Sequence, residues 1–221
     1  RTIKNGSKFY VKEIEKTIEG KIYRNEKVIK VFRNNKKVRV VSKNFTKYYD
    51  KIIFAIHADK ILSIINKPTK LEINIFSKLK YQTNKIYVHQ DLSLMPSNKN
   101  VWSAWNAIVY DPITERSSNE NICVTYWLNK LQSLQTKEPL FVTLNPPKDL
   151  LPKKTKIKEI LKLSHPVFDF NSLIIKPKLL SIQGRNNTFF VGAWQGNGFH
   201  EDGLKSAIDV AKAFDIKFTY E

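Results

Sequence analysis

The sequence predicts a chain whose two ends have α/β character and whose middle is an antiparallel sheet. At the first end, residues 51–57 form a continuous apolar run that leads into a helical pattern. Near the other end, residues 188–214 give the order strand, glycine-containing loop and helix. Between them, residues 85–144 contain four strand-like segments separated by polar loops. We therefore expect a discontinuous arrangement in which the first and last parts pack together and the middle is an inserted domain.

The first predicted elements are a helix and a set of short strands. Apolar residues at helical spacing predict a helix over residues 9–18, with Ser7 as its N-cap and Gly20 at its end. Alternating residues then predict short strands at 21–23, 27–32 and 38–41, with a hairpin turn at Asn34–Asn35.

The later elements follow from longer apolar patterns. The run at 51–57 is typical of a strand covered on both faces, and a helix over 58–65 follows and stops before Pro68. An antiparallel sheet with one exposed face is predicted from strands at Lys85–His89, Val101–Tyr110, Ile122–Trp127 and Leu140–Leu144. The lysine-rich segment 153–158 is predicted to be a boundary, and residues 203–214 to be the last helix.

Composition narrows the class of protein. The chain has 221 residues, 42% of them hydrophobic, which is enough to bury a sizeable core. It contains no run of eighteen apolar residues, so no membrane span is predicted. Cys123 is the single cysteine, which excludes an internal disulfide and a cysteine zinc site and fits a reducing, cytoplasmic compartment. The chain begins at Arg1 and its only methionine is Met95, so we expect its N-terminus to be internal to a longer protein.

The net charge of +18 raises the possibility of an anionic partner. The excess is almost entirely lysine, with only six arginines, and isoleucine and asparagine are also abundant. A bias toward A/T-rich codons explains all three enrichments, and the basic residues are scattered, so we do not expect nucleic acid as a partner. The alternative stays open that this is a non-catalytic basic protein binding nucleic acid or an anionic membrane surface. Lysines lining one face of the fold would favour that alternative.

Four of the seven glycines, Gly192, Gly196, Gly198 and Gly203, lie within twelve residues. The order strand, glycine loop and helix is a geometry that binds anions and polarised oxygens, because the first helical turn offers free N–H groups. Glycine also lets a ligand approach the backbone closely. The spacing differs from the dinucleotide fingerprint G-x-G-x-x-G, which occurs nowhere in this sequence. A packing turn without a ligand is therefore an equal alternative.

The segment GAWQGNGFHEDGLKSAIDVA is similar to the closing motif of FAD-dependent amine-oxidase-like flavoproteins. More closely, it resembles a bacterial branch of predicted NAD/FAD-binding proteins. Further segments resemble that branch in the same order along essentially the whole chain: NGSKFYV, FAIHAD, YQTNKIYVHQDLSLMP, SAWN, VTYWLNKLQ, PLFVTLNP and HPVFD. In that family a strand, the G-x-G-x-x-G turn and a helix come first, and this part is absent here. The chain therefore resembles the C-terminal half of such a flavoprotein.

The resemblance implies a fold and a domain division. We expect α/β plus α+β architecture, in which the remnant of a discontinuous, Rossmann-like FAD-binding domain carries an inserted antiparallel-sheet substrate domain. Residues 1–57 and 151–221 would belong to the FAD-binding domain and residues 58–150 to the substrate domain. Because phosphate contacts anchor the cofactor in this fold, the 221 residues alone are expected to bind FAD more weakly than micromolar and to be inactive.

The resemblance also assigns cofactor-binding residues. Val28 matches a position whose backbone meets the adenine, and Ala55 and His57 lie where the family approaches the cofactor. Gly192 and Ala193 match the turn beside the pyrophosphate and the ribityl chain. Many amine oxidases have an acidic residue where Ala193 stands, so that hydrogen bond is in doubt here. For Val28 and His57, a purely structural role is the alternative.

Other residues are assigned to the flavin ring by the same resemblance. The backbone N–H groups of Gly203 and Leu204 would face the flavin pyrimidine oxygen, and Phe199, or else Trp194, would face the ring. Lys85 aligns with a lysine that reaches a water near flavin N5, although a lone strand lysine is usually solvated. Phe199 and Trp194 are alternatively plain packing residues.

Four polar residues near these positions carry no single assignment. His200, Glu201 and Asp202 would either orient the substrate or cap the helix, and Asp202 as a cap is the simpler interpretation. His89 lies on the same strand face as Lys85, with no assigned role.

The function that the resemblance implies is FAD-dependent oxidation, in which a substrate C–H gives hydride to flavin N5. Trp105, Tyr126 and Trp127 suggest an apolar cavity, which suits a small molecule or a lipid-like substrate. The missing N-terminal part of the same protein is the expected partner, and no metal site is expected.

Overall fold

The structure is a computed structural model that describes residues 3, 6–109 and 122–216. In chain order, these residues form α1 (Ser7–Thr17), β1 (Val28–Arg33), β2 (Val38–Ser42), β3 (Thr46–Tyr49), β4 (Ile52–Phe54), α2 (Ala58–Ile64), α3 (Lys70–Phe76), β5 (Tyr81–His89), β6 (Trp105–Val109), β7 (Ile122–Trp127), α4 (Leu128–Leu131), β8 (Phe141–Leu144), β9 (Ile157–Pro166), α5 (Phe170–Ile175), β10 (Thr188–Phe190) and α6 (His200–Lys212), with short 3₁₀ turns between them. The fold is thus mixed α/β with antiparallel sheets, as the sequence predicted.

The chain divides into two compact units, each built from two separate segments. The first unit comprises Arg1–Lys21 and Thr83–Ser164, and the second comprises Ile22–Gln82 and His165–Glu221. These limits differ from the boundaries at 57/58 and 150/151 that the sequence suggested, since α2 packs against α3 and β1. The division into a cofactor domain and a substrate domain stays a prediction.

The first unit is built on a five-stranded sheet in the order β6-β7-β8-β5-β9. The pairs β6–β7, β7–β8 and β5–β8 are antiparallel, which confirms the sheet predicted for the middle of the chain. β6 begins at Trp105 rather than Val101, and Tyr110 lies outside the described residues. The segment 153–158, predicted to be a boundary, contains a 3₁₀ turn at Lys154–Lys156 and the first two residues of β9. β9 is an edge strand, and exposed edges commonly carry lysines, which explains why its composition resembled a linker.

The N-terminal predictions were partly correct. The helix predicted over 9–18 is confirmed as α1, but it starts one residue after Gly6, whose φ of 79° no side chain favours, so Ser7 is not the cap. The helix ends before Ile18 rather than at Gly20. The strand predicted at 21–23 was wrong, because these residues take part in no strand or bridge.

The second unit contains two sheets. The first is the antiparallel meander β1-β2-β3, whose β3 the sequence did not reveal. The hairpin turn predicted at Asn34–Asn35 is confirmed: Asn34 Oδ1 accepts hydrogen bonds from the N–H groups of Lys36 and Lys37 at 2.8 Å. The second sheet is the parallel pair β4–β10, in which Phe190 lies opposite Phe54.

β4 differs from the expected strand in length and burial. It covers three residues, and the side chain of Ile53 is 49% exposed, so the run at 51–57 is not covered on both faces. The helix predicted after it is confirmed as α2. The core of this unit is formed by buried side chains from both sheets and from α2, α3 and the loop after β10: Val31, Val38, Phe54, Ala58, Ile61, Ile75, Phe76, Phe190 and Trp194.

A buried ion pair, which sequence reasoning missed, joins the elements of the second unit. Arg33 donates to both carboxylate oxygens of Glu72 at 2.8 and 3.0 Å, and both side chains are 2% exposed. Arg33 also donates to Thr188 Oγ1 at 3.1 Å, so one guanidinium connects β1, α3 and β10. Burial alone would raise the pKa of Glu72, but the hydrogen bonds from Arg33 and Thr69 outweigh it and hold that pKa below its ordinary value.

Other features expected from composition concern cysteine, metal and membrane. Cys123 is free and fully buried, and burial raises the pKa of its thiol to about 11. Within residues 6–109 and 122–216, no group of three or more His, Cys, Asp or Glu side chains converges as a metal site would require. None of the helices in those ranges has the length and apolar character that crossing a bilayer demands.

Candidate functional site

The parallel pair β4–β10 brings two loops to the same edge of the second unit. β4 leads into Ala55 and His57, and β10 leads into Gly192 and Ala193. The two loops are joined by hydrogen bonds from Val191 N to Phe54 O at 3.0 Å and from Trp194 Nε1 to Ile56 O at 3.1 Å. In α/β folds, ligands bind outside the carboxyl ends of parallel strands. The structure therefore brings the loop that carries Ala55 and His57 next to the loop that carries Gly192 and Ala193.

The space beside two of the loop glycines is filled by side chains of the same chain. Gly192 has a φ of 152°, and a Cβ there would lie 2.4 Å from Trp194 Nε1. A Cβ on Gly196 would lie 2.2 Å from Asp202 Oδ1. Both distances are far below van der Waals contact. These glycines are therefore required by the packing of Trp194 and Asp202, and no ligand is needed to explain them.

The last helix begins three residues earlier than predicted. α6 starts at His200, with Phe199 as its N-cap, so the expectation that Gly203 opens the helix was wrong. The physical reason is Asp202, whose Oδ2 accepts hydrogen bonds from Asn197 N at 2.9 Å and Phe199 N at 3.0 Å. Asp202 thus caps the N-terminus of α6 through its side chain, as the sequence suggested.

Gly203 lies in the first turn of α6. Its N–H donates to Phe199 O at 3.3 Å, which leaves that group engaged within the helix. A Cβ at Gly203 would lie 3.6 Å from Ala193 N, an ordinary van der Waals distance, so the contact between the loop after β10 and the helix does not require glycine here. Leu204 follows within α6 and its side chain is 41% exposed. The predicted contact of these two N–H groups with a flavin stays a prediction.

Two charged side chains hold the glycine loop. The hydrogen bond from Phe199 N, followed by that from Asn197 N, holds the pKa of Asp202 below its ordinary value, and Lys205 and Lys176 act in the same direction. Lys176 Nζ donates to Gly196 O, and burial lowers the pKa of Lys176 although Asp202 opposes the shift. Because the Asp202 carboxylate already occupies the N-terminus of α6, this end of the helix suits a neutral polar group of a ligand better than a second anion.

The open part of the site is formed by the strand ends and by Phe199. Ala55 and His57 are exposed, Gly192 and Ala193 are half-buried, and the side chain of Phe199 is 69% exposed. The His57 ring stacks on Tyr81 with centroids 4.6 Å apart. Trp194, the other candidate for a ring contact, is 5% exposed and packs in the core, which matches its alternative interpretation as a packing residue.

Val28 and Lys85 lie in different units. Val28 is half-buried at the start of β1, next to a register shift between Val28 and Lys30, and packs against the core. Lys85 lies on β5 of the first unit and is exposed, and its Nζ is 5.0 Å from the centroid of the Tyr87 ring. The cofactor contact of Val28 and the role of Lys85 near flavin N5 stay predictions.

His89, to which no role was assigned, is a structural residue of the first unit. It is fully buried; its Nδ1 accepts from Asp91 N at 3.1 Å, so Nε2 carries the proton and donates to Thr143 Oγ1 at 2.7 Å. Thr143 Oγ1 is in turn 2.8 Å from Thr125 Oγ1. Burial lowers the pKa of His89, although Asp91 opposes the shift, so the ring is neutral at physiological pH.

The aromatic residues expected to line a substrate cavity lie on β6 and β7. Trp105 is opposite Tyr126 in the antiparallel pair, and its side chain is 61% exposed. Trp127 is half-buried and packs edge-on against Trp102, with centroids 5.2 Å apart. Trp105 and Tyr126 are thus cross-strand neighbours, while the cavity stays a prediction.

Comparison with known proteins shows the fold of the chain. No protein-family model matches the sequence, and no curated protein matches it. Among solved structures, a CLA-producing fatty acid isomerase from P. acnes matches with a TM-score of 0.61 at 16% identity, over 96% of this chain and 52% of its own. Putrescine oxidase, in a structure bound to putrescine, matches with a TM-score of 0.60 at 10% identity, over 94% of this chain and 53% of its own.

The fold of the chain is similar to part of the solved oxidase structures. A further match, cyclohexylamine oxidase from Brevibacterium oxydans IH-35A, has a TM-score of 0.51 at 9% identity and covers 86% of this chain and 49% of its own. The chain spans about half the length of the solved structures it matches. At these identities the likeness shows the fold alone, and it agrees with the resemblance seen in the sequence.

Proposed function

We propose that the protein is an FAD-dependent oxidoreductase of amine-oxidase type and that these 221 residues form its C-terminal half. The observation that carries the proposal is the meeting of the Ala55–His57 and Gly192–Ala193 loops at the carboxyl edge of a parallel strand pair. Ligands bind at this edge in α/β folds. The sequence resemblance names FAD as the ligand, and the likeness to half of several oxidase structures supports this choice.

The residues at this edge fit a flavin cofactor in a specific way. Ala55, His57 and Phe199 are exposed and would contact it directly, while Gly192 would act by letting Trp194 pack closely. The capped end of α6 suits the neutral pyrimidine edge of a flavin better than a phosphate, because Asp202 already places a carboxylate there. Bound FAD would supply the capacity to accept hydride from a substrate C–H.

The second unit would then be the remnant of a Rossmann-like FAD-binding domain, and the first unit would bear the substrate. We propose a small-molecule or lipid-like substrate with an apolar part, which Trp105 and Tyr126 on β6 and β7 would accommodate. The proteins of similar fold include one bound to putrescine and one named as a fatty acid isomerase, so the fold itself accommodates both classes. Lys85 is proposed to act near the reacting atoms from β5.

The test is the flavin content of the whole gene product compared with that of these 221 residues. We expect the whole product to purify with one FAD per chain, and the 221 residues to bind FAD more weakly than micromolar, because phosphate contacts anchor the cofactor in this fold. A whole product that contains no flavin and shows no flavin absorbance change on titration with FAD would overturn the proposal.

Matched variants test the position of the cofactor. Phe199→Ala should weaken FAD binding, whereas Phe170→Ala, which removes an aromatic ring of comparable exposure on α5, should leave it unchanged. Both residues are exposed, so neither change should unfold the chain, which a circular dichroism melt verifies. Equal flavin affinities of the two variants would place the cofactor away from the glycine loop.

A further inference from the structure

A concave site lies at the end of the sheet β1-β2-β3 where the β1–β2 hairpin turns, and the proposed oxidase function does not use it. This hairpin pocket has a volume of about 160 Å³ and is lined by Phe32, Arg33, Asn34, Lys37, Arg39 and Tyr48. Its volume is below the roughly 300–1,000 Å³ typical of sites that enclose a drug-sized ligand. It therefore fits one ring or one anionic group, with the rest of a ligand in solvent.

The strand register places an aromatic residue, an arginine and a second aromatic residue in one row. Phe32 lies opposite Arg39 in the pair β1–β2, and Arg39 lies opposite Tyr48 in the pair β2–β3. Cross-strand partners share one face of a sheet. The neighbouring residues Val31 and Val38 are fully buried, so the row lies on the face away from the core.

The middle member of the row is oriented by its neighbour. Arg39 Cζ lies 3.9 Å from the centroid of the Phe32 ring, a cation–π contact that restricts the guanidinium plane. The side chain of Tyr48 is 68% exposed. A guanidinium stacked in this way still offers its N–H edge to an anion, and Tyr48 offers a free ring face beside it.

Arg39 is also the cation of the pocket that has no acidic partner. Arg33 is held by Glu72, and Lys37 pairs with Asp50 at 2.6 Å. In the part of the chain that the structure describes, no carboxylate lies within 4.0 Å of the Arg39 guanidinium. The pocket therefore carries one uncompensated positive charge between two aromatic rings.

We propose that the hairpin pocket binds a nucleotide, with the base stacked on Tyr48 and the phosphate on Arg39. The guanidinium can donate two parallel hydrogen bonds to phosphate oxygens, and any of the bases can stack on an exposed aromatic ring. Lys37 stands at the same rim, where its charge is paired with Asp50, so the phosphate is assigned to Arg39. A free mononucleotide and a nucleotide of a single strand present the same chemistry to these residues.

The pocket is separate from the proposed flavin edge along β1. Val28, the residue assigned to the adenine of FAD, precedes Phe32 by four positions, or about 13 Å at the rise of a β-strand. The nucleotide proposed here is therefore an additional ligand, and its binding should not depend on whether FAD is bound.

The test is a calorimetric titration of the protein with AMP, with inorganic phosphate and with a short oligothymidylate. We expect saturable AMP binding in the sub-millimolar range, equal in the FAD-free and the FAD-loaded whole protein once free FAD has been removed. Arg39→Gln should weaken it about ten-fold or more, since a charge-assisted pair is lost, and Tyr48→Leu about five-fold or more, since base–aromatic stacking is lost. Arg185→Gln, which removes an exposed arginine outside the pocket, is the matched control and should leave AMP binding unchanged.

Arg39→Lys distinguishes the planar geometry of the guanidinium from its charge, and it tests whether a loss of AMP binding is caused by unfolding. It keeps the charge but loses the fork and the planar stack, so it should also weaken AMP binding while its thermal melt stays close to that of the parent. If the oligonucleotide binds more tightly than AMP and with a steep salt dependence, the ligand is a single-stranded nucleic acid. If it binds equally or more weakly, the ligand is a free nucleotide. Equal losses in the Arg39 and Arg185 variants, phosphate binding as tight as AMP binding, or loss of AMP binding in the FAD-loaded whole protein would each overturn the proposal.

Discussion

Replacing Glu72 with glutamine should destabilise the second unit strongly. Glu72 accepts two hydrogen bonds from the Arg33 guanidinium, and both side chains are 2% exposed. The variant keeps the shape of the side chain but leaves the buried cation of Arg33 without a counter-charge. Removing one partner of a buried ion pair typically costs about 3–5 kcal/mol.

That cost predicts a measurable pattern of amide exchange. At about 1.4 kcal/mol per factor of ten, it corresponds to a rise of about two to four orders of magnitude in exchange through global opening of the unit. Hydrogen–deuterium exchange with peptide resolution should show this rise in β1, α3 and β10, which the guanidinium joins. β7 and β8 of the first unit provide an internal reference.

Two control variants make the prediction specific. Asp50→Asn removes an ion pair of similar length that is exposed on both sides, so it should change exchange little. The double variant Arg33→Met/Glu72→Leu removes both charges and should recover most of the loss, because apolar replacements of buried pairs are often neutral or stabilising. If Glu72→Gln and Asp50→Asn had equal effects, the ion pair would not be the element that holds these strands together.

Three further predictions concern the loop, His89 and Cys123. Gly196→Ala should displace the Asp202 carboxylate and speed amide exchange at residues 197–200. The double variant Gly196→Ala/Asp202→Ala should exchange little faster than either single variant, and additive effects would show that the two residues act independently. Burial lowers the pKa of His89 in the folded state, so the unfolded chain binds more protons as the pH falls. The free energy of unfolding should therefore be highest above the pKa of an unfolded histidine, near 6.5, and should decrease as the pH drops below it. Urea titrations at several pH values should show a smaller decrease in His89→Asn. Cys123, with a pKa raised to about 11, should resist Ellman's reagent at pH 8 until the protein is denatured, and rapid labelling of the folded protein would contradict its burial.

The sequence alone determined most helices and strands and the kind of fold. Periodicity was sufficient for α1, α2, β1, β2 and the four middle strands, because the apolar residues of each follow the repeat of a helix or a strand, although no residue of α1 is buried. The order of motifs led to the amine-oxidase-like resemblance, and the comparisons bear it out at the level of the fold.

Only the tertiary structure decided what the glycine loop accommodates. The sequence left a ligand and a packing turn as equal alternatives, since a glycine shows that space is needed but not which group occupies it. In the fold, Trp194 and Asp202 occupy the space at Gly192 and Gly196. Asp202 also moves the start of α6 to His200 by accepting two backbone hydrogen bonds across the turn.

Long-range partners were invisible for the same reason. Arg33 and Glu72 are 39 residues apart, and each alone resembles an ordinary surface charge in this lysine-rich chain. The row of Phe32, Arg39 and Tyr48 depends on the register of three strands, one of which the sequence did not reveal. Local periodicity specifies which face of an element is buried, whereas the identity of the group it meets depends on distant segments that only the folded chain brings together.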